Sequence, residues 1–110
     1  MRELPRLSKK LFEVEDLFGR KVRTSPDYWR KIKEEKHKEL KFGIKETIAT
    51  IKKPDEVYQS VRDSYICLYF KKFNERFLVV AVKWLGKEGF VITAYQTAKH
   101  KRKGEKLWPR

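Results

Sequence analysis

The feature that most constrains the fold of this chain is a change in the spacing of its apolar residues at Pro54. Before this proline, apolar residues recur three or four positions apart, as on one side of a helix, at Leu40, Ile44, Ile48 and Ile51. After it, apolar and polar residues alternate, as they do in strands whose two faces differ. The chain therefore predicts helices followed by a sheet, which is an α+β fold.

The sheet is predicted to be antiparallel because its connections are short. The turns between the three longest alternating segments are centred on Asn74 and on residues 86–89. Strands joined by so few residues pair as hairpins. We expect roughly four strands, the first of them a short edge strand, at Glu56–Ser60, Tyr65–Phe73, Arg76–Leu85 and Phe90–Thr97.

The N-terminal half predicts a short hairpin and two helices. Gly19 supplies the hairpin turn. A helix start is indicated at Ser25, because serine caps unpaired backbone N–H groups and Pro26 suits the first helical position. Pro54 stops the second helix. We expect the strands at Lys10–Asp16 and Lys21–Thr24, and the helices from Ser25 to near His37 and over Leu40–Lys52.

The length of 110 residues fits a single domain. The lone Cys67 excludes an internal disulfide and a cysteine-based zinc site. The longest apolar stretch, Phe77–Leu85, has the length of a strand, so we expect no membrane partner. With no apolar leader after Met1, a cytoplasmic location is expected. We divide the chain into a hairpin extension (1–24), the helices with the sheet (25–98) and a basic tail (99–110).

The charge of the chain indicates its partners. Lys and Arg number 28 and Asp and Glu 15, giving a net charge of +13 at pH 7. Such a surplus favours a polyanion, namely RNA, DNA or the ribosome, or else an acidic protein; a solvated basic surface is the alternative. The tail is the most concentrated basic segment. Its residues predicted to hold a phosphate backbone are Lys99, Lys101, Arg102 and Lys103.

The alternation also predicts which face of the sheet is available to a ligand. The nearly pure apolar sets are assigned to the face under the helices, and they are Ile66, Leu68, Phe70, Leu78, Val80, Val82, Trp84, Phe90, Ile92 and Ala94. The mixed sets are assigned to a candidate site on the opposite face, and they are Tyr65, Cys67, Tyr69, Lys71, Val79, Ala81, Lys83, Thr93, Tyr95 and Thr97. The alternative is an ordinary solvated sheet face.

The sequence lacks the motifs that are typical of several enzyme classes. None of the five glycines is spaced as a phosphate-binding loop, and there is no nucleophile elbow. Cys67 lies within an apolar strand, where a thiol is usually inert. Two histidines and no carboxylate cluster predict neither a metal site nor a cofactor. Metal-free RNA cleavage remains, because the ribose 2′-hydroxyl is its nucleophile and the protein supplies only a base, an acid and cations.

Candidate roles follow from side-chain chemistry. His37 is the candidate acid/base by its ordinary pKa, although a histidine at a helix end can instead cap carbonyl groups. The cations suited to phosphoryl charge are Lys71, Lys83 and Arg62. The groups suited to hydrogen bonding, base stacking or orienting the phosphate are Tyr69, Tyr95, Thr93 and Thr97. The predicted catalytic residues are His37, Lys71, Lys83, Thr93 and Tyr95. The predicted substrate-binding residues are Arg62, Tyr69, Thr97, Lys99, Lys101, Arg102 and Lys103.

Several segments together resemble a known family. The succession DYW-x2-I-x4-HKEL, TI-x2-PDEVYQS, LYFKKF, FLVVAVKWL, FVITAYQT and KRKGEKLW is similar to the phage-type nuclease domains of the Barnase–EndoU–colicin–RelE-like (BECR) fold, from about Thr24 to Trp108. The resemblance implies helices on a four-stranded antiparallel sheet and RNA-directed nuclease activity. Lys38 stands where members more often have proline. The matching positions are His37, Glu39, Tyr69, Lys71, Lys83, Thr93, Tyr95 and Thr97.

The resulting hypothesis is a metal-independent endoribonuclease of toxin or phage-defence type. Its expected substrate is RNA, including RNA of the ribosome, and its expected protein partner is an acidic antitoxin or immunity protein. Two alternatives stay open. The same basic surface can bind RNA or the ribosome without cutting, or exposed tyrosines can contact an acidic partner protein.

Overall fold

The computed structural model describes residues 11–36, 42–98 and 104–109. The described chain combines helices with a seven-stranded sheet, which confirms the α+β class. The helical elements are α1 (Pro26–Lys31), a π-helical turn that continues it (Ile32–Lys36), and α2 (Ile44–Lys52). The strands are β1 (Phe12–Glu15), β2 (Lys21–Thr24), β3 (Glu56–Gln59), β4 (Ile66–Phe73), β5 (Arg76–Leu85), β6 (Glu88–Thr97) and β7 (Lys106–Trp108). None of the described helices is long and apolar enough to cross a membrane.

The sheet is larger than the four strands predicted, which correspond to β3–β6. Its strand order is β1-β2-β6-β5-β4-β3-β7. The hairpin β1–β2 joins one side through a parallel pairing of β2 with β6, and β7 adds itself beside β3. Every pair of neighbouring strands other than β2 and β6 is antiparallel. Local alternation does not reveal these two additions, because each pairs segments that lie far apart in sequence.

Local chemistry explains where the helices begin. The Ser25 hydroxyl accepts the backbone N–H of Tyr28 at 3.1 Å, as expected for a cap at the start of α1. Helix α2 begins at Ile44 rather than at Leu40, since Gly43 caps it and donates its N–H to the Glu46 carboxylate at 2.9 Å. That hydrogen bond lowers the pKa of Glu46. The predicted end of the first helix at His37 lies outside the described residues.

The main core lies between the sheet and the helices. Its centre combines Ile32 of the π-helical turn and Ile51 of α2 with one face of the sheet, which we call the covered face. The buried strand residues of this face include Val57, Cys67, Tyr69, Leu78, Val80, Val82, Trp84, Val91 and Ala94. The opposite face, which we call the outer face, has a smaller apolar cluster of Tyr58, Phe70 and Val79, with Leu68 and Tyr95 packed against it.

The predicted faces were wrong for β4 and for the start of β6. In the observed register Tyr69 pairs with Val80, and Phe70 pairs with Val79, so Tyr69 lies on the covered face and Phe70 on the outer face. Both faces of β4 are largely apolar, and a one-residue difference in register exchanges them. In β6 a bulge lies between the pairs Ala81–Thr93 and Val82–Val91. It reverses the alternation of faces along the strand, so that Phe90 lies on the outer face.

Candidate functional site

The candidate site is a group of polar residues on the outer face, carried by β2, β5 and β6. Its members are Arg23, Lys83, Thr93, Tyr95 and Thr97. Pairing places Arg23 and Lys83 on either side of Phe90, in one row across the three strands. The other three follow along β6 at every second residue, about 7 Å apart. The structure thus brings together four of the predicted site residues, Lys83, Thr93, Tyr95 and Thr97, and adds Arg23, which no sequence pattern indicated.

The surface beside the β6 residues is built from small side chains. Thr93 pairs with Ala81 and Tyr95 pairs with Val79, and both β5 residues are buried. Tyr95 is itself half-buried against the smaller apolar cluster. Burial raises the pKa of the Tyr95 hydroxyl, so this group remains protonated at neutral pH. It can therefore donate a hydrogen bond to a ligand, but it is unsuited to act as a base.

Thr93 has an unusual environment. Its Oγ1 atom is buried and has no hydrogen-bond partner in the part of the chain that the structure describes. A buried hydroxyl without a partner is costly, and such groups are uncommon in folded proteins. A ligand oxygen would supply the missing partner only after neighbouring side chains move, because the Oγ1 atom has almost no solvent-accessible surface.

Lys83 is held by a carboxylate in the turn before β4. Its Nζ donates to Oδ2 of Asp63 at 3.1 Å. The N–H of Tyr65 donates to the other carboxylate oxygen at 2.9 Å. The pKa of Asp63 is lowered, mainly by the hydrogen bond from the Tyr65 N–H and to a smaller extent by the one from Lys83. The predicted Arg62 is the neighbour of Asp63 and is exposed, so a second cation lies in the same turn.

Arg23 is anchored in a similar way. Its Nη2 lies 2.9 Å from Oε1 of Glu88, and its guanidinium lies over the ring of Phe90, 4.7 Å from the centroid. Because β2 and β6 are paired in parallel through residues distant in sequence, no local pattern could have placed this arginine beside Lys83.

Two predicted site residues lie on the wrong side of the sheet. Tyr69 is completely buried on the covered face, and its hydroxyl donates to Oδ2 of Asp16 at 2.6 Å, so it cannot stack on a base. Lys71 also lies on the covered face, where its Nζ donates to the carbonyl of Lys53 at 2.8 Å, just after α2. Both corrections follow from the register of β4. The predicted residues outside the described part of the chain are His37, Lys99, Lys101, Arg102 and Lys103.

Tyr69 belongs instead to a polar cluster that sequence reasoning missed. Oδ1 of Asp16 accepts the backbone N–H groups of Phe18 at 3.0 Å and Arg20 at 2.8 Å, while Oδ2 also contacts Nη2 of Arg20 at 3.1 Å. The Arg20 guanidinium stacks on Trp84 at 3.9 Å. The only signal was the D-x-x-G-R turn, where an aspartate commonly binds the following backbone. This cluster fastens the β1–β2 turn to the sheet.

Cys67 lies beside this cluster and is buried on the covered face, not on the open face to which its strand position assigned it. Burial raises the pKa of its thiol, so the reactive thiolate is disfavoured. Among residues 11–36, 42–98 and 104–109, no three His, Cys, Asp or Glu side chains gather as metal ligands.

The comparisons with known proteins assign no family. No family model matches the chain, and neither a curated protein nor a solved structure matches it. The function is therefore inferred from the geometry and chemistry of the site itself.

Proposed function

We propose that this protein is a metal-independent endoribonuclease that acts in the cytoplasm and binds RNA across its outer face. The observation that supports this most is the row of Thr93, Tyr95 and Thr97 next to Lys83 and Arg23 on one face of the sheet. Hydrogen-bond donors beside cations suit a phosphodiester, and the net charge of +13 favours a polyanionic ligand.

The proposed reaction needs few groups from the protein. The 2′-hydroxyl oxygen bonds to phosphorus as the bond to the 5′-oxygen breaks, which leaves a 2′,3′-cyclic phosphate. A base accepts the 2′-hydroxyl proton and an acid returns a proton to the departing 5′-oxygen. His37 is the proposed acid/base. Lys83 and Arg23 stabilise the charge on the phosphoryl oxygens, and protonated Tyr95 donates a hydrogen bond to them.

Cleavage of labelled single-stranded RNA in EDTA tests this proposal. The wild type should produce 2′,3′-cyclic phosphate ends, and a Lys83→Ala/Tyr95→Phe double variant should cleave about 100-fold more slowly, since two groups that stabilise the transition state are lost. Lys45→Ala is the matched control, because it removes an exposed positive charge from α2 on the other side of the sheet. His37→Ala tests the acid/base assignment separately.

Two results would refute the proposal in different ways. Equal cleavage by the wild type and the double variant would show that the outer face is not the site. Intact single-stranded, structured and ribosomal RNAs after long incubation would show that the protein is not an endoribonuclease.

The second candidate function is an RNA- or ribosome-binding module without catalysis. One observation favours it: both cations of the site already have carboxylate partners, Lys83 with Asp63 and Arg23 with Glu88. The Lys83–Asp63 pair, whose side chains are 41% and 30% exposed, suits reversible exchange with a phosphate group more than a fixed catalytic arrangement, whereas the Arg23 side chain is only 11% exposed. This candidate predicts strong, salt-dependent binding of RNA that stays whole. An acidic antitoxin or immunity protein would compete for the same face and would copurify with the chain.

A further inference from the structure

A cavity outside the candidate site lies at the end of the sheet where β4 turns into β5. Its volume is about 330 Å³, in the lower part of the range for small-molecule pockets. It lies on the covered face, beyond the first turn of α2, which begins two residues after Phe42. The described residues that line it are Phe42, Phe73, Asn74, Glu75, Arg76 and Gln96.

Two aromatic rings form the apolar part of this cavity. The ring centroids of Phe42 and Phe73 are 5.2 Å apart, and their planes are inclined at 40°. Both side chains pack against the main core and are only partly buried, so the rings are held in place while part of their surface remains accessible. Fixed aromatic rings of this kind offer stacking surfaces for the bases of single-stranded RNA.

The other side chains lining the cavity are polar or charged: Glu75 adds a carboxylate acceptor, and the remaining three are of the kinds that recognise flat, nitrogen-bearing rings. Arg76 supplies a planar set of donors, while Asn74 and Gln96 each combine a donor with an acceptor. Guanidinium and amide groups are the ones that commonly read base edges through paired hydrogen bonds. The Arg76 side chain is exposed and has no ion pair within the described part of the chain, so its donors are available to a ligand.

The position of the cavity relates it to the outer face. Gln96 of the cavity and Thr97 of the candidate site are consecutive residues of β6 and point to opposite faces of the sheet. An RNA strand that lies along Thr93, Tyr95 and Thr97 therefore reaches the cavity by passing over this end of the sheet.

We propose that the cavity at the β4–β5 turn binds one unpaired base of the RNA and gives the protein a base preference. The proposal rests on the proposed function to the extent that RNA is the ligand. It does not require that the RNA be cut. Binding of one flipped-out base explains the combination of fixed rings, a small volume and polar groups around them better than binding of phosphate, which needs no aromatic surface.

The experiment uses short single-stranded RNAs that differ at one position, which carries each of the four bases or no base. Complete 2′-O-methylation removes the nucleophile, so binding is measured at equilibrium even if the protein is a nuclease. The wild type should bind the best base about tenfold more tightly than the abasic RNA, as expected for one aromatic stack. Phe73→Leu, which keeps an apolar side chain but removes the ring, should bind both RNAs about equally.

Two further variants separate stacking from edge recognition. Arg76→Lys keeps the charge but loses the planar donors, so it should keep the advantage over abasic RNA and lose most of the preference among bases. Phe18→Leu is the matched control, because Phe18 is an exposed phenylalanine in the β1–β2 turn; it should behave like the wild type. Thermal unfolding of Phe73→Leu verifies that the variant is folded under the binding conditions.

The outcomes distinguish this proposal from the proposed function. If Phe73→Leu retained the full advantage over abasic RNA, the cavity would not be a base site, even for a protein that cleaves RNA. If RNA were never cut but the base effect disappeared in Phe73→Leu, the endoribonuclease proposal would fail and the base site would stand. Failure of the wild type to bind any of the RNAs would overturn the base site.

Discussion

Two of the ion pairs that join an aspartate to a basic residue in the described part of the chain differ in their surroundings. Asp16 and Arg20 lie under the β1–β2 turn on the covered face, where the Asp16 side chain is 0% exposed. Asp63 and Lys83 lie at the outer face, with side chains 30% and 41% exposed. The contact distances are the same, 3.1 Å in both pairs.

The difference shows which of the two pairs can take part in binding. Both oxygens of Asp16 are engaged by Tyr69, Arg20 and backbone N–H groups, so no ligand can enter without breaking a buried network. Asp63 and Lys83 are in contact with solvent, where an ion pair contributes little and exchanges easily. A phosphate oxygen can replace the Asp63 carboxylate at Lys83 at small cost. The inner pair thus stabilises the fold, and the outer pair is open to a competing anion.

The largest effect that distinguishes the pairs is expected in stability. Asp16→Ala leaves the buried Tyr69 hydroxyl and two backbone N–H groups without their acceptor, so the free energy of unfolding should fall by about 3 kcal/mol. Asp63→Ala should leave it nearly unchanged. Urea denaturation of both variants measures the two values. Equal losses would break the distinction between a structural pair and an exchangeable one.

The two tyrosines sharpen the same comparison with smaller changes. Tyr69→Phe removes the 2.6 Å hydrogen bond to Asp16 and should cost about 1–2 kcal/mol, while RNA cleavage per folded molecule stays at the wild-type level. Tyr95→Phe should show the reverse, with slower cleavage and a stability loss below about 1 kcal/mol. Denaturation and cleavage assays on the same preparations test both. A loss of cleavage in folded Tyr69→Phe would return Tyr69 to the site.

Tyr69 also shows how much of the site could be predicted from sequence. Strand β5 was predicted with its observed bounds, and β4 within one residue, because alternation is a local property. The face on which Tyr69 lies could not be predicted in the same way. The two alternating sets of β4, residues 66, 68 and 70 on one side and residues 67 and 69 on the other, are both largely apolar. Only the register against β5 decides between them, and that register depends on contacts across the whole sheet.

The predicted assignment of residues to the outer face agrees with the structure where the neighbouring strand has one uniformly apolar face. Lys83, Tyr95 and Thr97 were placed on one face together, and the structure agrees, because the opposite positions on β5 are uniformly apolar. Arg23 and Asp16 lie in the hairpin β1–β2, whose position beside β6 depends on a parallel pairing. No local pattern encodes such a pairing, so neither residue could be assigned a partner.

The next expected effect concerns RNA affinity. Lys83→Ala should weaken binding by about threefold at low salt, and it should reduce the slope of log affinity against log salt by about 0.7, the value for one phosphate contact with a single strand. Asp63→Ala should strengthen binding, because it releases Lys83 from its carboxylate. Lys83→Arg is the control that retains the charge and the slope. Weaker binding by Asp63→Ala would contradict an exchangeable pair.

The smallest effect is a change in the titration of Asp63. Its pKa is below the ordinary value of 3.8, mainly because the N–H of Tyr65 donates to it and secondly because Lys83 does. In Lys83→Ala the pKa should rise only part of the way, since the Tyr65 hydrogen bond remains. Because the folded-state pKa is lowered, the stabilisation from these contacts is present above the ordinary pKa and is lost as the pH falls through the folded value. Carboxyl ¹³C NMR titration of the wild type and the variant measures the change. If the two titration curves coincided, Lys83 would not contact Asp63 in solution. A phosphate would then bind Lys83 without displacing a carboxylate, and the pair would not be an exchangeable one.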